Sequence, residues 1–287
     1  MYDFPVTNEG IGLRLRSHLN WWASAGDSRA DPLGAYNTHI SGITRALDQL
    51  LQVLAVEASS RPAALRQRGQ LDGDVLRTFQ DLTYRLAEFY DFLTKRLTKA
   101  LNAEAENKLA HREFARVVSE ARRDACLICN KIKHADSVLA RVDNLFEGGA
   151  YVEGMVLLSR LPGGTLTVCR ELHKKNEDGT SFNLGVRSLV FDFLRADIAA
   201  GRLCSALGGQ QADAADALLL QQLRTLGKRP EVGLSFERAR TIRAMWEQPG
   251  KLVAGMKVRE LPPRGERVQI IQTIGTDGHT RTFPLAG

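Results

Sequence analysis

Apolar residues recur at intervals of three and four through the first half of the chain. Ile40, Ile43, Leu47, Leu50 and Leu54 form one stripe, the pattern of an amphipathic helix packed on one side. Asp31-Pro32 opens it, with a carboxylate at the N-cap and a proline at the first helical position. Ser59-Ser60-Arg61-Pro62 closes it, because the residue before a proline disfavours helical geometry. A polar linker with Gly69 and Gly73 follows. From Asp74 a second stripe runs through Val75, Phe79, Leu82, Leu86, Phe89, Leu93, Leu97 and Leu101, with Tyr84, Tyr90 and Phe92 widening its apolar face. A third runs through Leu109, Phe114, Val117, Val118, Ala121, Ala125, Ile128 and Ile132. Short connections make neighbouring helices antiparallel, so the pattern predicts an antiparallel helical bundle.

After His134 the period changes. Tyr151 to Leu161 and Thr165 to Leu172 are rich in Val, Leu, Tyr and Thr, and Pro162-Gly163-Gly164 between them is a hairpin signal. Asn176-Glu177-Asp178-Gly179 is a second turn signal. Helical spacing returns from Leu184 to Leu207 and again from Ala212 to Leu226. A further helix is expected from Ser235, as N-cap, to Pro249-Gly250. The tail from Lys251 reads as strands, with Val268 to Ile274 and His279 to Phe283 flanking the turn Gly275-Thr276-Asp277-Gly278. The expected fold is mainly α, an antiparallel helical bundle with a small β-hairpin insertion and a C-terminal β-hairpin. An N-terminal arm spans 1–34 and is anchored by Trp21 and Trp22. The helical domain spans 35–250 with its β insertion near 151–183, and the C-terminal β-hairpin extension spans 251–287.

Composition narrows the function little. The 287 residues carry a net charge of +6, which permits contact with nucleic acid without requiring it. Met1 to Pro5 has no basic segment followed by an apolar run, so no signal peptide is expected. No apolar stretch approaches the ~20 residues that span a bilayer. Four cysteines in a chain of this length do not make a disulfide framework. A cytoplasmic protein without a membrane partner is expected. Phosphate loops of the GxxxxGK[ST] type, GxGxxG, GxSxG and HExxH are absent from the sequence, which removes the commonest nucleotide-hydrolysing, dehydrogenase, esterase and zincin readings.

Candidate chemistry concentrates between Cys126 and His134. Cys126 and Cys129 form a CxxC, and Cys169 with His173 could complete four zinc ligands. The competing reading, two small buried hydrophobes in the third stripe, leaves no metal and no cofactor, and is the expectation here. Asn130 and His134 lie four residues apart on one helical face. Lys131 and Lys133 flank a polar rim, while Ile132 points to the core. A histidine moves a proton near neutral pH and a lysine holds a phosphate. Arg238, Arg240 and Arg243, on the helix expected from Ser235, read as a solvated helix face diluted by Glu231, Glu237 and Glu247, with a second phosphate-binding surface as the alternative.

A helical bundle ending in Asn130-Lys131-Ile132-Lys133-His134 and followed by a hairpin resembles the HEPN superfamily (higher eukaryotes and prokaryotes nucleotide-binding). The likeness covers mainly Asp74 to His134. That family's signature is Arg, a polar residue, a few more residues, then His at a helix end. Asn130 matches the polar position and His134 the histidine, but the arginine position falls on Cys129. Arg122 and Arg123 could serve only by projecting from a partner. The resemblance implies an RNA-binding homodimer, a metal-independent endoribonuclease of a bacterial toxin or antiviral defence system, and an antitoxin or defence-system protein as partner. In that scheme His134 is general acid or base, Asn130 orients, and Lys131 with Lys133 holds phosphate. The alternative is a non-catalytic helical interaction protein that assembles with a protein partner.

Overall fold

In the computed structural model the apolar stripes become helices that bury them against one another. The structure describes residues 4–6, 32–59, 68–98, 108–134, 137–146, 151–162, 164–173, 179–206, 217–229, 241–248, 251–258, 267–274 and 280–284. Trp21 and Trp22 lie outside these residues, as does the rest of the expected arm apart from β1 (Phe4–Val6) and residues 32–34, which open the first helix.

Helix α1 (Pro32–Ser59) starts and stops where its proline signals place it. Helix α2 (Arg68–Asp91) begins earlier than its stripe predicts and takes in Gly69 and Gly73, which had been read as linker. It runs on into a π-helical turn, Phe92–Leu97, where the Thr98 N–H bonds the Leu93 carbonyl. The third stripe divides into α3 (Lys108–Ala121) and α4 (Arg123–Lys133). The ladder nevertheless runs through the junction: Arg122 N–H donates to Val118 and Cys126 N–H to Arg122, both at 2.9 Å. A one-turn helix α5 (Arg170–His173) comes next, then α6 (Phe182–Ala206) and α7 (Ala217–Lys228). Helix α1 packs on α2, α3 on α6, and α4 on α2. Ile40, Leu47, Phe79, Phe89, Val118, Ile128, Phe193 and Leu223 belong to one shared core. The fold is thus mainly α, a helical bundle with antiparallel β additions.

Polar groups inside this core have work to do. Tyr36 on α1 donates to Asp197 on α6 at 2.6 Å. Buried Arg187 on α6 donates to the carbonyls of Leu226, Gly227 and Arg229 at the C-terminal end of α7. The Leu226 carbonyl also accepts the Arg229 N–H at 3.3 Å; carbonyls at a helix end lack the partners of its interior, and a cation is favoured at that end of the dipole.

Strands β2 (Ser137–Phe146), β3 (Tyr151–Arg160), β4 (Leu166–Val168), β8 (Arg267–Ile274) and β9 (Thr280–Pro284) order as β4-β3-β2-β8-β9, and β5 (Thr180–Ser181) pairs β3 as well. The predicted hairpin around Pro162 is β3–β4. The expected C-terminal hairpin is β8–β9, laid along β2. Leu139, Met155 and Leu157 face the helical core, while Ala140, Val142, Val152, Val156 and Leu158 form a second buried cluster. Strands buried on both faces lose the alternation that marks a half-exposed strand, which is why β2 had no signal in the sequence. Gly179, just before β5, has φ +88°, and a Cβ there would run into the Met155 carbonyl. Only glycine suits that position.

The helix expected from Ser235 is corrected. Residues Thr241–Gln248 form strand β6, paired with β7 (Lys251–Val258), which also pairs β1. Ile242, Ala244 and Trp246 alternate at period two, a strand signal that the arginine spacing obscured. Arg243 therefore stands on a strand, while Arg238 and Arg240 lie outside the described residues.

Candidate functional site

The last turn of α4 presents a continuous polar face because its opposite side is committed to the core. Ala125, Ile128 and Cys129 are buried, and Ile132 packs against the shared core. At about 100° per residue, the outer face reads in angular order Lys133, Asn130, His134, Lys131. Asn130 and His134 are exposed. His134 caps the helix, its backbone N–H bonding the Asn130 carbonyl at 3.1 Å.

Each lysine is held by a neighbouring element. Lys131 Nζ lies 3.1 Å from Glu171 Oε1 on α5, with the lysine side chain 29% and the glutamate 63% exposed. Lys133 Nζ sits 5.3 Å from the centroid of the Tyr84 ring on α2. Gln80 Nε2 in turn donates to the Tyr84 hydroxyl at 2.9 Å. Two cations thus bracket an exposed amide and an exposed imidazole, an arrangement that can receive an anion and move a proton.

The structure brings Asn130, Lys131, Lys133 and His134 together as the spacing predicts. It does not bring in Arg243, since β6 packs on α6 and α7. Cys129, at the position where the HEPN signature carries arginine, is only 2% exposed. Burial pushes its thiol up to about 12, against a hydrogen bond with Thr83 that acts the other way. Such a group is a packing residue rather than a nucleophile. Arg122 is ion-paired with Asp91 at 3.4 Å and Arg123 with Asp124 at 2.9 Å.

The zinc alternative does not assemble. His173 Nε2 accepts the Leu157 N–H at 2.8 Å, so that nitrogen is already in use. Among the described residues no group of three or more His, Cys, Asp or Glu side chains is placed to hold a metal ion. No helix among them is long and apolar enough to cross a membrane.

Sequence reading missed three side chains around the site. The sequence groups Tyr84 with Tyr90 and Phe92 as core; those two are buried, whereas Tyr84 is only partly buried. Gln80 lies four residues from Tyr84, a helical spacing that could have flagged the pair. Glu171 is separated from Lys131 by 40 positions, so no local signal could have linked them. Set against known proteins, the chain matches no family model, no curated protein and no solved structure.

Proposed function

We propose that the outer face of the last turn of α4 binds a phosphodiester of single-stranded RNA. The observation that carries this is the pair Asn130 and His134, exposed between two lysines that neighbouring elements hold in place. Lysines supply the sequence-independent charge that attracts a phosphate backbone. The amide of Asn130 donates to a phosphate or ribose oxygen. The HEPN resemblance supports the same ligand and adds a homodimer in which two such helix ends meet, acting in a toxin–antitoxin or antiviral setting.

In the cleaving form of this reading, His134 takes the proton of a ribose 2′-hydroxyl as that oxygen attacks phosphorus, or returns one to the departing 5′-oxygen. The partner protomer's copy of the same histidine serves for the other transfer. One observation favours a non-cleaving form: Cys129 fills the arginine position and is buried, so the charge growing on phosphorus meets only lysines, which lack the bidentate fork of arginine.

Total RNA incubated in EDTA with the wild type and with His134→Ala separates the forms. Cleavage by the wild type alone establishes catalysis; cleavage by neither, or equally by both, leaves a binder. Binding itself is read by anisotropy of a labelled oligonucleotide over a salt series. The double variant Lys131→Ala/Lys133→Ala is expected to flatten the salt slope by about two. An unchanged slope removes the site.

A further inference from the structure

We infer that Tyr84 is a stacking platform for a nucleobase, kept covered by Lys133 until the base arrives. The inference rests on the RNA-binding reading of the same site and names what lies beside the phosphate. Four other aromatic rings of the same helix and its π-helical continuation, Phe79, Phe89, Tyr90 and Phe92, are all buried in the core. Tyr84 alone among these five is only partly buried, and an exposed lysine lies over its ring.

That lysine is three positions from Asn130 and adjacent to His134, so the Tyr84 ring borders the polar face directly. Gln80 donates to the phenol oxygen. This steadies the ring from the side and leaves the phenol proton free to be offered to a base. The distance to Lys133, 5.3 Å from the ring centroid, is that of a cation–π contact, which is weak at an exposed site. A stacked base is the stronger occupant of the same ring face. The exchange serves both groups: the base takes the ring, and Lys133 swings to the phosphate beside it. Aromatic stacking tolerates any base, so this corner confers a preference for unpaired nucleotides rather than for a sequence.

The test compares two ligands of equal charge, a short oligouridylate and an abasic ribose-phosphate oligomer of the same length. Each is titrated with the full chain as wild type, Tyr84→Phe, Tyr84→Leu and Tyr84→Trp. The wild type is expected to prefer the base-bearing ligand by about ten-fold. Tyr84→Phe keeps the preference, Tyr84→Leu abolishes it, and Tyr84→Trp, which enlarges the ring face, increases it. A purely structural role for the ring would weaken both ligands alike in Tyr84→Leu, and that result overturns the inference. If Tyr84→Leu does not fold, an unchanged preference in Tyr84→Trp overturns it instead. A wild type that binds both ligands equally, and loses both in the double lysine variant, overturns the platform and spares the phosphate site. A wild type that binds neither removes both.

Discussion

His173 stands where a neighbouring strand would otherwise supply a carbonyl. Strand β3 pairs with β4 from Leu158 outward and with β5 at Gly154 and Met155. At Leu157, between them, the segment entering α5 takes over. Cys169 N–H donates to the Leu157 carbonyl and His173 Nε2 accepts the Leu157 N–H, both at 2.8 Å. The bond requires a neutral imidazole with Nε2 unprotonated, and the other nitrogen lies 3.5 Å from the Thr180 hydroxyl. Burial lowers the pKa of His173 from 6.5 to about 4, against a smaller opposing pull from Asp124. The folded chain therefore resists a proton that the unfolded chain accepts, and stability must rise with pH across that window. The contribution is complete above about pH 6.5 and is lost as pH falls toward 4, with a ceiling of about 3 kcal/mol. Melting temperatures measured from pH 7.5 down to 4.5 should fall more steeply for the wild type than for His173→Phe, which is less stable at neutral pH but has no imidazole to charge. Parallel profiles would show that the imidazole does not carry this load.

At the scale of elements, α4 is where the proposed HEPN resemblance can be tested. Its inner face is closed around Cys129, whose neighbour Thr83 already donates its hydroxyl to the Gln80 carbonyl at 2.7 Å. A guanidinium placed there would be buried beside one hydroxyl oxygen, with the Lys133 ammonium opposing it and the Glu88 carboxylate favouring it. Cys129→Arg is therefore expected to cost about 3–5 kcal/mol in urea denaturation without adding cleavage. Cys126→Arg, at a partly exposed position, should cost far less. An unchanged urea midpoint with new RNase activity in Cys129→Arg would mean that the helix end can host the signature arginine after all. Legibility in the sequence followed the same division between inner and outer faces. The stripes of α1, α2 and α4 were readable because one-sided burial writes a 3.6-residue period, and the polar turn at Asn130 to His134 was readable as its complement. Strand β2 was not readable, because burial on both faces erases alternation. Strand β6 was misread because three arginines were weighed above the period-two run of Ile242, Ala244 and Trp246. The partners Glu171 and Tyr84 needed the fold itself, since tertiary contact alone brings α5 and α2 to the end of α4.

Across the whole molecule, the two ends of the chain close sheets that its middle begins. Strand β1 pairs β7, with Phe4 opposite Ala254, and β8 lies along β2 from Arg141 opposite Gln272 to Phe146 opposite Arg267. Residues that read as a terminal extension thus form one edge of the larger sheet, two of its six strands. This couples the C-terminal strands to the hairpin whose first strand follows directly on α4. Removing them would leave one edge of β2 with open N–H and C=O groups over that paired stretch, a template for association with other chains. Six opposed residue pairs are lost, and at roughly 0.5 kcal/mol for each the deletion should lower stability by about 3 kcal/mol. The expectation for a chain ending at Val258 is a lower urea midpoint, with concentration-dependent light scattering that the full chain lacks. A shortened chain that stays monodisperse with an unchanged midpoint would show that β8 and β9 lie on the sheet without supporting it, and that the segment is dispensable.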